Sequence, residues 1–195
     1  IENAFCAVRP PGHHAERNNA MGFCFFANAS VAARHALAAH GLERVAIIDF
    51  DVHHGNGTED CCAGDDRILM CSIFQHPFYP YSGADKPAAN MCNVPLAAGC
   101  GGEEFRDAVN QVWMPRLKEF KPQLIIISAG FDGHYEDDMG GLKLVEKDYA
   151  WCTEELKKVA AQFSEKRIVS MLEGGYVMTS LARSVGAHLR SLADL

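Results

Sequence analysis

The chain of 195 residues lacks several features that would place it in familiar classes. No stretch approaches the roughly 20 consecutive apolar residues that a membrane-spanning helix needs, and no charged-then-apolar signal segment opens the chain. None of the eight cysteines forms a Cys-x-x-Cys pair, and adjacency hinders a bridge between Cys61 and Cys62. These absences argue against a membrane protein and a secreted disulfide scaffold. We expect reduced cysteines and a cytoplasmic location.

Positive charge is also scarce. Lysine and arginine total 18 against 25 acidic residues, the formal net charge is −7, and no basic run occurs. Because proteins that bind nucleic acid directly carry a basic patch, we expect no direct nucleic-acid partner. The acidic balance suits a neutral or cationic substrate.

The composition, with 48% hydrophobic and 22% charged residues, is typical of one globular domain. We therefore expect residues 1–195 to form a single domain. The chain starts at Ile1 in place of a methionine, and an apolar run follows within a few residues. We expect it to be part of a longer protein.

Five apolar runs predict strands buried on both faces, because none alternates cleanly between apolar and polar residues. They span 5–8, 45–50, 68–74, 124–128 and 168–172. Helical periodicity predicts helices over 28–40, 105–120, 149–163 and 181–192, and we expect His188, on the last of these, to be a surface or partly buried structural residue. The alternation of strands and helices indicates an α/β fold with a mainly parallel sheet. Residues 75–102 are predicted to form one long irregular loop.

Chemically versatile side chains follow four of the predicted strands. In open α/β sheets the ligand site lies outside the carboxyl ends of the strands, so these side chains are expected to meet at one rim. They are His13 and His14 after the first strand, Asp49, Asp51, His53 and His54 at the end of the second, Asp132 after the fourth, and Tyr176 after the fifth.

Asp51 and His53 are two residues apart, so in extended backbone their side chains share a face and could hold one cation. A carboxylate with an imidazole suits Zn²⁺ or Fe²⁺ better than Mg²⁺ or Ca²⁺, and Asp132 is the best third ligand. Alternatively, the Asp-x-His pattern caps a loop and its histidine binds backbone carbonyls. The other polar residues at neighbouring strand ends favour the metal.

His13 and His14 follow a Pro-Pro-Gly turn that holds both imidazoles at the rim, and we interpret them as a general acid and base. Such imidazoles need partners on their other ring nitrogens, and Asp49 and Asn56 are available.

Tyr176 follows two glycines, where its phenol could donate to an oxyanion. The alternative is an ordinary turn tyrosine with a hydrated hydroxyl.

Taken together, these motifs resemble, in order, the signatures of the zinc-dependent histone deacetylase superfamily, which includes bacterial acetylpolyamine amidohydrolases and histone-deacetylase-like amidohydrolases. The matching segments are 9–14 (Arg-Pro-Pro-Gly-His-His), 22–26 (Gly-Phe-Cys-Phe-Phe), 49–58 (Asp-Phe-Asp-Val-His-His-Gly-Asn-Gly-Thr), 128–132 (Ser-Ala-Gly-Phe-Asp) and 172–176 (Leu-Glu-Gly-Gly-Tyr). Residues 75–80, Gln-His-Pro-Phe-Tyr-Pro, look closest to the class II and bacterial branch.

The resemblance implies an arginase-like, deacetylase-like three-layer α/β fold, of which this chain would be the C-terminal portion, with the N-terminal part missing. It implies a hydrolase that removes the acetyl group from N-acetyl-lysine or a similar N-acylated amine by metal-activated water. The metal, zinc or Fe(II), would be held by Asp51, His53 and Asp132. His13 and His14 would act on the leaving amine and the attacking water, Tyr176 would polarise the acetyl carbonyl, and Asp49 and Asn56 would pair with His13 and His14 respectively.

The same resemblance implies a potassium ion near Asp49, Asp51, His53 and Ser72. Substrate contacts are expected at Gly22, Phe23, Tyr79 and Gly174. The substrate would be an acetylated lysine peptide or an acetylpolyamine, and association into a homo-oligomer stays open. The alternative function is a catalytically silent fragment of the same family that binds metal or acetylated ligands.

Overall fold

The computed structural model describes residues 2–195, and its central element is a six-stranded sheet. The strands are β1 (Asn3–Cys6), β2 (Val45–Asp49), β3 (Ile68–Gln75), β4 (Met91–Leu96), β5 (Leu124–Ala129) and β6 (Ile168–Leu172). Their order across the sheet is β1-β6-β5-β2-β3-β4, and every neighbouring pair is parallel. The predicted mainly parallel sheet is confirmed.

Six α-helices connect and cover the strands. They are α1 (Asn28–Ala39), α2 (Asn56–Cys62), α3 (Gly102–Ala108), α4 (Met114–Phe120), α5 (Glu146–Phe163) and α6 (Met178–Leu192). A π-helical segment, Val109–Trp113, joins α3 to α4, so the predicted helix over 105–120 is helical throughout but not regular. No described helix is both long enough and apolar enough to cross a bilayer.

The sheet is the middle of three layers. Alanines of α1 and Cys62 of α2 pack on one face, against Val45, Ile47 and Met70. The opposite face, with Ile48 and Ile127, packs against α3 to α6. A fully buried apolar side chain stabilises the fold by roughly 1.5–3 kcal/mol, so the central strands account for much of the hydrophobic stabilisation.

Two expectations about secondary structure are wrong. Residues 75–102 are not one irregular loop, because β4 lies within them and pairs with β3. This strand is at the sheet edge, where partly exposed positions and Pro95 weaken the apolar pattern. The seven-residue helix α2 was not predicted, since its sequence Asn-Gly-Thr-Glu-Asp-Cys-Cys contains few strong helix formers.

His188 is also placed differently from the expectation, because α6 packs against α5 and leaves this side chain 0% exposed. Its Nδ1 lies 2.7 Å from Oγ1 of Thr153, and its Nε2 lies 2.9 Å from Oγ of Ser170. Both ring nitrogens therefore have hydroxyl partners in the core.

Candidate active site

The loops that follow β2 and β5 bring Asp51, His53 and Asp132 together. One ligand atom of each residue lies within 4.8 Å of the others, and all three side chains are buried. Nδ1 of His53 is 3.0 Å from Oδ1 of Asp51 and 3.2 Å from Oδ2 of Asp132. We call these three residues the acidic cluster.

The acidic cluster fits a divalent metal ion. Oδ2 of Asp132 is fully buried and makes no hydrogen bond of good geometry among the described residues, although Nδ1 of His53 lies 3.2 Å away. An unpaired buried carboxylate oxygen is costly, and a bound cation would remove that cost. One imidazole nitrogen with carboxylate oxygens is a donor set that zinc and Fe(II) accept.

Proton affinities in the acidic cluster are strongly perturbed. Burial, followed by the charge of Asp51, raises the pKa of Asp132 to about 6. Burial alone would lower the pKa of His53, but the close carboxylates of Asp132 and Asp51 outweigh it and raise that pKa to about 10. Two carboxylates this close repel each other when both are ionised, so positive charge between them is favourable.

Backbone groups hold the carboxylates of the acidic cluster in place. Oδ2 of Asp51 accepts the N–H of Gly174 at 2.8 Å, and Oδ1 of Asp132 accepts the N–H of Val52 at 3.0 Å. A Cβ atom at Gly174 would overlap the carboxylate oxygens of Asp132 and Asp51, and one at Gly130 would overlap Asp51. Glycine is therefore required at both positions by close approach of the backbone.

The two adjacent histidines have different partners. His13 donates from Nδ1 to Oδ2 of Asp49 at 3.0 Å, and His14 donates from Nδ1 to Oδ1 of Asn56 at 2.8 Å. The orientation of the Asn56 amide is fixed because its nitrogen donates to Oε1 of Glu16 at 2.7 Å. The Nε2 atoms of both rings are thus left for other contacts, and Nε2 of His13 lies 3.7 Å from Oδ2 of Asp51.

The same environment separates the proton affinities of the pair. Burial lowers the pKa of His13, but the negative charges of Asp51, Asp49 and Glu173 outweigh that effect and raise it well above its usual range. Burial and the neighbouring positive His13 lower the pKa of His14 to about 3. The two imidazoles therefore differ in proton affinity, with His13 holding a proton more tightly than His14.

A cavity of about 600 Å³ opens next to the acidic cluster. Its wall is largely aromatic: Phe78 stacks on His53 with ring centroids 5.4 Å apart, Tyr79 meets His14 at 5.2 Å, and Phe23 lies 6.2 Å from Tyr176. The lining residues are His14, Gly22, Phe23, His53, Phe78, Tyr79, Asp138, Met139 and Tyr176.

Most of the predicted substrate contacts lie on this wall. Gly22, Phe23 and Tyr79 line the cavity, together with Tyr176. Gly174 does not line it, because this residue lies behind the carboxylates to which its backbone is bound.

The residues predicted to hold a potassium ion are close to one another at the carboxyl end of β2 and the adjoining part of β3. Asp49 and Ser72 are register partners on these strands, and Asp51 is bonded to Asp49 through its backbone N–H at 3.1 Å. Oγ of Ser72 is buried without a partner among the described residues. An unpaired hydroxyl oxygen here fits an oxygen-preferring cation.

Sequence reasoning missed several residues of this region. Phe78, Asp138 and Met139 line the cavity, although Phe78 lies within the quoted segment 75–80. Asp137 and Glu173 are buried acids that were given no role. A charged residue directly after a buried apolar strand was a usable signal for Glu173, whereas Asp137 lies in a polar loop that gives none.

Comparison with known proteins identifies one family. Residues 1–192 match the histone deacetylase domain. The chain is 40% identical over 182 residues to the histone deacetylase-like amidohydrolase of Pseudomonas aeruginosa and 39% identical over 181 residues to a probable deacetylase of Archaeoglobus fulgidus. Each match covers 90% of this chain, and they cover 48% and 50% of the two relatives.

A solved structure gives the same result for the fold. The crystal structure of the HDA15 HD domain is similar with a TM-score of 0.92 and 35% identity, covering 100% of this chain and 58% of that chain. The predicted deacetylase-like fold and the resemblance inferred from the motifs are confirmed. This chain spans about half the length of the two relatives. It belongs to the histone deacetylase family.

Proposed function

We propose that this chain contains the active site of a metal-dependent deacylase that hydrolyses the amide of an N-acetylated amine. The observation that carries the proposal is the buried acidic cluster beside a cavity that is also lined by His14 and Tyr176. Relatives named as deacetylases and amidohydrolases support the reaction class.

Asp51, His53 and Asp132 would hold the metal, which we propose to be zinc, with Fe(II) as the alternative. When bound there, the ion would supply Lewis-acid polarisation of the acyl oxygen and a lowered pKa for the attacking water. The protein's part is to exclude bulk water from the carboxylates and to fix their directions. The backbone bonds from Gly174 and Val52 serve the second purpose.

His14 is the proposed proton carrier. It lines the cavity, its depressed pKa keeps it neutral, and its Nδ1–H is committed to Asn56, which leaves Nε2 to accept a proton. Water adds to the acyl carbon and gives its proton to His14. The C–N bond then breaks, and the nitrogen receives that proton. The acid formed from the acyl group gives up the second proton of the water to the amine, so that acetate and an ammonium ion leave.

His13 and Tyr176 are proposed to stabilise the negative charge that develops on the acyl oxygen. His13 stays charged beside Asp49, close to the acidic cluster. Burial, with the negative charges of Asp51 and Asp132, raises the pKa of Tyr176 above its usual range. The phenol therefore keeps its proton and can donate it in a hydrogen bond.

Features of the cavity wall support an acyl-lysine or acylpolyamine substrate. Aromatic rings of Phe23, Phe78 and Tyr79 suit an extended aliphatic chain. Asp138 is exposed on the wall and has the right charge for a cationic group farther along such a substrate. A basic peptide flank and a polyamine nitrogen fit this position equally well.

Three further proposals concern a second cation site, the location of the protein and its domain organisation. We propose that a potassium ion binds near Asp49, Asp51, His53 and Ser72, for which the unpaired oxygen of Ser72 is the support. We also propose a cytoplasmic location and one domain over residues 1–195.

A second candidate function is a silent member that binds metal or acetylated ligands without turnover. The complete set of cluster, histidine and tyrosine residues favours the enzyme.

The two functions are separated by measuring metal content and hydrolysis of an acetyl-lysine peptide and acetylputrescine on the same preparation. An enzyme loses turnover on chelation and regains it with zinc, and Tyr176→Phe or His14→Ala abolishes most turnover while metal content stays. Matched controls are Tyr81→Phe and His40→Ala, two exposed residues that do not line the cavity. Bound metal without turnover in the unsubstituted chain would favour the silent member.

A further inference from the structure

Asp137 is a buried acid whose side chain is bonded only to backbone among the described residues. It is 4% exposed and lies in the loop between β5 and α5. Its Oδ2 accepts the N–H of Tyr176 at 2.7 Å and that of Val177 at 3.2 Å, while its Oδ1 accepts the N–H of Met139 at 3.0 Å. Both oxygens are therefore occupied, and Asp137 is not part of the acidic cluster.

The segment 173–175 is held by other groups. Oε2 of Glu173 accepts the backbone N–H groups of Gly12 and His13 at 2.6 and 3.1 Å. Gly174 is bonded to Asp51, and Arg9 donates to the carbonyl of Gly175 at 3.1 Å. Asp137 is thus the group that fixes the backbone at the next residue, Tyr176.

The bonds made by Asp137 join two walls of the cavity. Tyr176 belongs to the turn before α6, and Met139 belongs to the turn after Asp132, and both residues line the cavity. One carboxylate therefore links the backbone of the tyrosine to the segment that carries Met139 in the cavity wall. An error of about 1 Å in the placement of a catalytic group can cost on the order of 10²-fold in rate.

We propose that Asp137 is a positioning residue that holds the hydroxyl of Tyr176 over the acidic cluster, without touching substrate. This rests on the function proposed above. A carboxylate at the start of α6 also stabilises the helix, because the first N–H groups of a helix have no partners within it. The experiment must therefore separate placement of the tyrosine from stability of the helix.

Asp137→Ala, Asp137→Asn and the control Asp148→Ala separate the two effects. Asp148 is a buried acid at the start of α5 that accepts the N–H of Val145 and forms an ion pair with Arg106. Its loss therefore weakens a helix start, together with an ion pair, away from the tyrosine. The asparagine keeps an oxygen for Tyr176 and Val177 and loses only the bond to Met139. We expect Asp137→Ala to lower kcat by about 10²-fold with metal retained, Asp137→Asn to restore most of it, and Asp148→Ala to change it little.

A double-mutant cycle with Tyr176→Phe tests whether the effect passes through the hydroxyl. In the Tyr176→Phe background, Asp137→Ala is expected to lower kcat by no more than about threefold, because the positioned group is already gone. An equal loss in both backgrounds would overturn the proposal, as would a loss in Asp148→Ala as large as that in Asp137→Ala.

A readout without turnover keeps the proposal testable if the proposed function fails. The chain has five tyrosines, so 3-fluorotyrosine labelling gives five ¹⁹F resonances, of which Tyr176→Phe identifies one. That resonance is expected to shift or broaden in Asp137→Ala and to stay unchanged in Asp148→Ala. No hydrolysis by the unsubstituted metal-loaded chain would contradict the deacylase function alone, whereas an unmoved Tyr176 resonance in Asp137→Ala would contradict the positioning role.

Discussion

The floor and the rim of the cavity are built in different ways. At the floor, the acidic cluster is buried at the ends of central strands, and backbone N–H groups fix its carboxylates. At the rim, Phe23, Asp138 and Met139 are exposed side chains on loops. The difference indicates that the floor tolerates little change and the rim tolerates more. Under the proposed function, the floor would set the reaction and the rim the substrate preference.

The largest effect is expected from a change of charge at the floor. Asp132→Asn removes a ligand oxygen and its charge from the acidic cluster, so we expect loss of bound metal and of hydrolysis together. Metal analysis and an acetyl-lysine assay measure both. Asp107→Asn, an exposed acid on α3, is the matched control. If Asp132→Asn retained bound metal, the assignment of Asp132 as a metal ligand would be wrong.

A smaller but still severe effect is expected from one methyl group behind the carboxylates. Gly174→Ala places a Cβ against Asp132 and Asp51, which must then shift. Supporting groups around metal ligands typically contribute 10–100-fold to affinity, and we expect a loss of about that size. Metal titration measures it, with Gly186→Ala on α6 as the control, because a Cβ there would meet only Nη1 of Arg190 at 3.6 Å. If Gly174→Ala bound the metal ion as tightly as the unsubstituted chain does, the floor would be less rigid than proposed.

The buried carboxyl group of Glu173, which accepts the N–H groups of Gly12 and His13, is expected to make the free energy of unfolding depend on pH. Burial raises the pKa of Glu173 from 4.5 to about 7, so the folded chain holds a proton that the unfolded chain releases between these values. The free energy of unfolding therefore falls as pH rises through that window, by about 3 kcal/mol at most. Denaturant unfolding at pH 4 and pH 8 measures the change. Glu173→Gln should lose less stability over this range, and an equal loss would assign the pH dependence to other groups.

The smallest effect is expected at the rim. Asp138→Asn removes an exposed charge, and exposed ion pairs contribute about 0.2–1 kcal/mol, so KM for a cationic acetylated substrate should rise by no more than a few-fold. The rise should shrink with added salt and be absent for a neutral acetylated amine. An equal rise in KM for the neutral substrate would show that Asp138 acts through the shape of the cavity wall and not through its charge.

The sequence predicted the floor well because its residues are tied to strand ends. Asp51 and His53 stand at a spacing of two directly after a strong apolar strand, and Asp132 follows another, so a parallel sheet brings them together without further knowledge. The pairing of His13 with Asp49 and of His14 with Asn56 was implied by the family resemblance, since the strand ends alone indicated only that both partners were available.

The rest depended on how loops fold back, which no local pattern reveals. Phe78 and Met139 meet the cavity from segments with no periodicity, and Asp137 gains its partners 39 and 40 residues away. The edge strand β4 was missed because partly exposed positions and Pro95 replace the apolar run of a central strand.

The pairing of β1 with β6 has a consequence for folding. It brings the turn with His13 beside the loop with Tyr176, and the bond from Gly12 to Glu173 joins groups 161 residues apart in the chain. Closing so large a loop costs entropy before its contacts form, and such non-local topologies fold slowly. During synthesis, the turn with His13 and His14 can reach its position beside the Tyr176 loop only after β6 has emerged, so the proposed site forms late.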